Sequence, residues 1–123
     1  MSAAWPTEIR LKQAEKLLEI TFDDGAAFRF PAEYLRVESP SAEVQGHGPG
    51  QKQLVAGRAR VGIIGVEPVG NYAIRIVFDD LHDTGIYSWT YLYQLGREQE
   101  RRWKEYIAAL ETHGLSREPE RKT

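Results

Sequence analysis

Phe78-Asp79-Asp80-Leu81-His82-Asp83-Thr84-Gly85-Ile86-Tyr87-Ser88-Trp89-Thr90-Tyr91-Leu92-Tyr93-Gln94-Leu95 joins a strand-like run to the chain's only long helix-like run. Upstream of it, Asn71 to Phe78 alternates. Tyr72, Ile74, Ile76 and Phe78 fall on one face and Ala73, Arg75 and Val77 on the other, the period of two that specifies a strand. Asp79 to Gly85 turns the chain, and Ile86 to Trp89 reads as a short last strand. From Thr90 the period becomes 3.6, with Leu92, Leu95, Gln99, Trp103, Tyr106, Ile107 and Leu110 on one stripe. Arg97, Glu98, Glu100, Arg101, Arg102, Lys104 and Glu105 make the opposite face, where Glu98 and Arg102, and Glu100 and Lys104, have i,i+4 spacing. Gly114 is a helix stop, and residues 115–123 are expected to fray.

The first part of the chain is also strand-like. Thr7 to Lys12 alternates, Leu18, Ile20 and Phe22 share a face, and Asp23-Asp24-Gly25 is a hairpin turn leading to a third strand with Phe28 and Phe30 inward. Pro31 suits the first turn of a short helix over Ala32 to Arg36. The stretch from Glu38 to Gln51 is rich in Gly, Pro and polar residues and reads as a long loop; with no Gly-Lys-Ser/Thr, it is no phosphate cradle. Ile63 to Val66 is a further strand, joined to the Asn71 strand through a Pro-Gly turn. The expected fold is α+β: one domain over residues 1–114, with a mostly antiparallel twisted sheet of about six strands and one long C-terminal helix packed on it.

Composition narrows the function classes. The formal net charge of −2 gives no broad basic field for a phosphate backbone, so nucleic acid is not the expected partner. With no cysteine, thiolate catalysis, disulfides and iron–sulfur ligation from this chain are excluded. No apolar run reaches the roughly 18 residues of a membrane span, and the start lacks a signal-like pattern, so a cytoplasmic location is expected.

His82, with Asp79, Asp80 and Asp83, is the one cluster of histidine and carboxylates. Neighbouring acids favour the imidazolium, and a metal set of His82, Asp80, Asp83 and the distant His47 is the sharper reading beside a purely structural histidine. A base–nucleophile pair of His82 with Ser88 or Thr84 lacks an orienting third group, so no catalytic residue is assigned and no enzyme is expected. Tyr87, Trp89, Tyr91 and Tyr93 crowd into seven positions, as core and helix entry or as a partner-binding patch. Arg58 and Arg60 share a face that either receives an anionic group or is solvated.

Taken together, Trp5 to Leu11, Leu18 to Gly25, Phe30 to Arg36, and His82 to Trp89 with Tyr91-Leu92 resemble the gamma-butyrobetaine hydroxylase-like N-terminal domain family, also called domain of unknown function 971, here as a stand-alone, cysteine-free member. In carnitine-pathway oxygenases this domain precedes an iron and 2-oxoglutarate catalytic domain, and it carries a zinc held by three cysteines after a Leu-Arg pair plus a downstream histidine. The resemblance places Leu35-Arg36 at that pair, His82 at that histidine, and Ser39 and Ser41 at two of the cysteine positions. Serines are poor zinc ligands, so the family's zinc is expected to be lost. No cofactor is expected, a divalent zinc or iron ion at His82 being the alternative. The oxygenase domain is not among these residues, so hydroxylase activity is not expected either. A similar segment attached to P-loop iron–sulfur carriers of the Mrp type implies a non-catalytic protein-interaction or accessory module near iron–sulfur cluster handling, with such a carrier as partner.

Overall fold

The structure is a computed structural model that describes residues 4–46 and 52–119. Strands β1 (Pro6–Lys12), β2 (Leu17–Phe22) and β3 (Ala27–Pro31) form an antiparallel meander in that order. The alternation in β2 buries Leu18, Ile20 and Phe22, and Gly25 (φ 91°) closes the β2–β3 turn while Asp24 Oδ1 accepts from the Ala26 amide. After Pro31 come α1 (Ala32–Val37) and the short α2 (Ala42–Gln45), the latter inside the stretch read as loop. A second antiparallel meander, β4 (Ile63–Val69), β5 (Ala73–Phe78) and β6 (Ile86–Ser88), leads into α3 (Trp89–Arg97) and α4 (Gln99–Thr112).

Two expectations are corrected. The six strands make two three-stranded sheets rather than one, because β1 meets β4 without a backbone ladder. The side chain of Gln13 spans that seam, donating to the carbonyls of Ile63 and Ile64. The long helix is likewise two helices, broken at Glu98 (φ −104°, ψ 10°). The periodicity hid the break because main-chain bonds run through it, from the Glu98 amide to Gln94 and from the Arg102 amide to Glu98. Gly96 allows the first helix to lie hard against β3, since a Cβ there would sit 2.4 Å from the Phe28 ring.

Both sheets and α3 enclose one core that includes Leu18, Ile20, Phe30, Tyr34, Leu35, Ile76, Phe78, Tyr87, Leu92 and Leu95. At about 1.5–3 kcal/mol per buried large apolar side chain, this cluster dominates the driving force. A smaller cluster of Val37, Tyr106 and Leu110 seats α4. No helix among the described residues is long and apolar enough to cross a membrane.

Gly114 (φ 66°) ends α4, with the Leu115 amide reaching back to the Leu110 carbonyl. Residues 115–119, expected to fray, are exposed but make contacts back to the body of the fold. The Gly57 amide donates to the Ser116 carbonyl and the Ala59 amide to the Arg117 carbonyl, while the Arg117 side chain reaches Glu33.

Candidate functional site

Every residue of α1 is buried, Glu33 and Arg36 included, and so are Glu38 and Ser39 just beyond it. Buried charges need partners, and each of these finds one on a different segment. Glu33 binds Arg117 of the tail, Arg36 binds Asp80 of the β5–β6 connection, and Glu38 binds Lys52 and Arg102. Two tyrosines grip carbonyls at the C-terminal end of the same segment: Tyr87 Oη donates to Leu35 at 2.5 Å and Tyr91 Oη to Glu38 at 2.6 Å. Burial pushes the Tyr91 hydroxyl up to about 12, so it stays a donor.

The β5–β6 connection folds into a tight loop in which the Phe78 amide donates to the His82 carbonyl. Leu81, at φ 74°, is thrown outward, 87% exposed, and His82 turns inward, 5% exposed. Asp80 sets this geometry: its Oδ1 accepts from the His82 amide at 3.1 Å, and its Oδ2 lies 2.8 Å from both Arg36 Nε and Arg58 Nε. Burial alone would raise the Asp80 carboxyl, but the His82 amide and the two guanidiniums outweigh it and hold the group below its ordinary 3.8.

His82 Nε2 lies 2.9 Å from Ser39 Oγ and 3.3 Å from Ser41 Oγ, and the two hydroxyls are 3.2 Å apart. Nδ1 lies 3.3 Å from Glu43 Oε2, and Thr84 Oγ1 donates to the other oxygen of the same carboxylate. With Nε2 accepting from a serine the proton sits on Nδ1, which is buried without a hydrogen-bond partner among the described residues, its 3.3 Å approach to Glu43 being an ion-pair distance without hydrogen-bond geometry. Burial, then the nearby Arg36, lower the His82 pKa below its ordinary 6.5 against the pull of Glu43 and Asp80. His82 is therefore a neutral imidazole at pH 7, not the acid-favoured imidazolium that its sequence neighbours suggested.

Hydroxyl, imidazole and carboxylate in series follow the order of a nucleophile relay. The relay is closed, however. Ser39 is fully buried, and a Cβ on Gly85 would stand 2.5 Å from its Oγ, so backbone lies directly against the hydroxyl. Among the described residues, four cavities are found that Ser39, Ser41 and His82 do not line.

The family's zinc does not fit these residues. Two neutral hydroxyls bond to the imidazole nitrogen that a metal would need, and Asp80 is committed to two arginines. Arg36 Nη1 is already buried without an acceptor among the described residues, so a dication would be added beside an under-compensated guanidinium. No group of three His, Cys, Asp or Glu among the described residues is placed to hold a metal.

Of the expected site residues, Asp80 joins His82 through the main chain, whereas Asp83 has no hydrogen bond or ion pair to the ring among the described residues and His47 lies outside them. Ser88 is not a nucleophile partner but the N-cap of α3, accepting from the Tyr91 amide. Of the aromatic knot only Tyr87 is fully buried; Trp89, Tyr91 and Tyr93 are half-buried, with Trp89 Nε1 donating to Asn71 and Tyr93 Oη to Asp24 in addition to the two tyrosine grips. Arg58 meets Asp80, and Arg60 lies 3.6 Å from Glu118. Sequence reasoning missed Glu33, Arg36 and Glu43. The one signal for Glu33 and Arg36 was two charges inside the apolar stretch Ala32 to Val37, too short for a period to show which face is covered, and Glu43, in the stretch read as loop, had none.

A second feature lies at the other end of α1. A groove of about 670 Å³ runs between α1 and the two C-terminal helices, lined by Pro31, Glu33, Tyr34, Gly96, Trp103 and Arg117 among others. The Arg117 guanidinium is 5.3 Å from the Trp103 ring and holds both Glu33 oxygens, at 2.7 and 2.9 Å. The Glu33 hydrogen bond raises the Arg117 pKa further.

The family model described as gamma-butyrobetaine hydroxylase-like, N-terminal, matches residues 9–93. A protein solved by NMR in solution is 43% identical over 99% of this chain and 96% of its own, with a TM-score of 0.85. A second NMR solution structure is 46% identical, covering 99% of this chain and 91% of its own, with a TM-score of 0.82. A crystal structure of a protein of unknown function from Acidithiobacillus ferrooxidans, of the DUF971 family, is 38% identical over 74% of this chain and 91% of its own, with a TM-score of 0.63. Among curated proteins none matches. On the strength of the family match and of these relatives, the chain belongs to the gamma-butyrobetaine hydroxylase-like N-terminal domain family, the domain of unknown function 971.

Proposed function

We propose that this chain is a non-catalytic accessory module that works by binding another protein, with an iron–sulfur carrier of the Mrp type as the partner that the family resemblance suggests. The observation that carries the reading is the closed Ser39–His82–Glu43 cluster. Among the described residues, the arrangement closest to a catalytic relay has its hydroxyl end buried against Gly85 and lines none of the cavities found there, only the Glu43 end being exposed. What remains accessible is a helix face and an aromatic groove, which suit recognition. The alternative, a metal site on His82, has the serine hydroxyls and Arg36 against it.

Two measurements test this. A fluorophosphonate probe should leave Ser39 of the native protein unlabelled; stoichiometric labelling would make the chain an enzyme and sink the reading. Photo-reactive residues placed singly at Ile64, Leu81 and Lys104 and irradiated in cells should give a discrete protein adduct from at least one position. No adduct from any of the three overturns the proposal.

A further inference from the structure

Glu33 and Trp103 have the chemistry of an arginine receptor, and the residue that fills it differs from the other partners of α1. A planar guanidinium matches a carboxylate through two parallel hydrogen bonds and a ring face through cation–π attraction; an ammonium matches neither as well. The Glu33 side chain is 7% exposed, so its position is fixed by α1 and the groove wall, whereas the Arg117 side chain is 46% exposed and belongs to a tail whose residues 113–119 are all solvent-exposed. The receptor is thus built into the fold, and its occupant lies on the outside.

The main chain adds a second, independent element of recognition. The Gly57 and Ala59 amides donate to the Ser116 and Arg117 carbonyls, each at 2.9 Å. Ser116 and Arg117 are adjacent and the chain bends at Arg117 and Glu118, so the two amides hold a bent segment by its backbone, without regard to its side chains. Backbone reading at 57–59 and guanidinium reading at Glu33 and Trp103 together specify a bent peptide segment bearing one arginine. The groove also continues past Arg117 along Gly96, Gln99 and Lys104, leaving room beyond what the tail fills.

We infer that the Glu33–Trp103 groove, with the 57–59 amides, is a docking site for a bent, arginine-bearing segment of a partner protein, and that the chain's own tail occupies it as a tethered competitor through Arg117. This rests on the partner-binding reading above and names the chemistry of the partner. A tethered ligand acts at millimolar effective concentration, so a free peptide competes poorly until Arg117 is removed.

The test uses the full chain with Arg117→Ala and the peptide acetyl-Ser-Arg-Glu-amide, patterned on residues 116–118. Binding is followed through the Trp103 indole signal, assigned with a Trp103→Phe variant. The expected result is saturable binding at least tenfold tighter than to the unsubstituted chain. It should be lost when the peptide arginine is lysine and when Glu33→Gln is added. A folded Arg117→Ala chain that ignores the peptide, or takes the lysine peptide equally well, overturns the inference. Should Arg117→Ala fail to fold, the unsubstituted chain decides at millimolar peptide. Release of the Ser116 to Glu118 amides together with a shift of the Trp103 indole supports the site, and an unmoved tail refutes it. A partner captured elsewhere on the surface with no peptide binding refutes this site alone and leaves the partner-binding reading standing.

Discussion

The two ends of α1 carry the same chemical pair, an arginine on a carboxylate, in opposite settings. At the C-terminal end Arg36, with 10% of its side chain exposed, meets Asp80 beneath the loop that delivers His82. At the N-terminal end Glu33 is the buried member and Arg117 comes to it from the surface. In the first pair both charges are provided by elements that the core already fixes. In the second only the acid is fixed. The difference teaches that an ion pair's identity says little about its role; what matters is which partner water can replace. Asp80 orders a turn, two guanidiniums and a histidine, so the pair is structural, whereas Glu33 is a receptor whose occupant can leave.

The largest expected effect is at the sealed end. Arg36→Ala should cost about 3 kcal/mol in chemical denaturation, the low side of the range for breaking a buried pair, because Arg58 stays beside Asp80. A loss below about 1 kcal/mol would show that the pair is no more structural than a surface one and would break the comparison. Next is Gly85→Ala, which forces a methyl against Ser39 Oγ and the Tyr87 ring and should cost about 2 kcal/mol by overpacking. Adding Ser39→Ala should recover part of that loss by removing the hydroxyl the methyl meets; no recovery would place the strain at Tyr87 instead.

Much of this fold was legible because its strands are half-buried and alternate. Leu18, Ile20 and Phe22, and Ile74, Ile76 and Phe78, announce their faces, and the Asp23-Asp24-Gly25 turn announces a hairpin. The division into two sheets was not legible, because it depends on a seam spanned by one glutamine side chain. The helix break at Glu98 was hidden by hydrogen bonds that continue through it. At the site, His82 was found from its acidic neighbours, yet its environment was misjudged. Sequence neighbours pointed to carboxylates, while the fold brings Arg36 and two serines from more than forty residues away. Ser39 and Ser41 could be placed only by family resemblance. The Glu33–Arg117 pair, 84 residues apart, had no local signal.

His82 gives a smaller effect, resolved by pH. Its pKa in the folded state lies below 6.5, so well above pH 6.5 both folded and unfolded chains hold it neutral and its contribution is complete. As pH falls below 6.5 the unfolded chain takes up the proton first, and stability declines by less than about 1.4 kcal/mol per pH unit until the folded ring also protonates. His82→Gln should flatten the stability profile between pH 6.5 and 5. The decline from Asp80, whose carboxyl is held below 3.8, should remain at lower pH. An unchanged slope above pH 5 would mean that the ring is not the neutral group its burial requires.

The smallest effect is the one that sharpens the contrast most. Arg117→Ala removes the only cation that holds the Glu33 carboxylate among the described residues, yet it should cost about 1 kcal/mol or less, because water enters the groove from which the arginine has gone. The same alanine change made on a carboxylate at the sealed end, Asp80→Ala, strands Arg36 where no water reaches its Nη1 and removes the acceptor of the His82 amide. Measured side by side by denaturation, the two variants should differ by at least about 1 kcal/mol. Equal losses would mean that the tail is as much a part of the folded core as the His82 loop is, and Arg117 would then be a structural clasp rather than an exchangeable ligand.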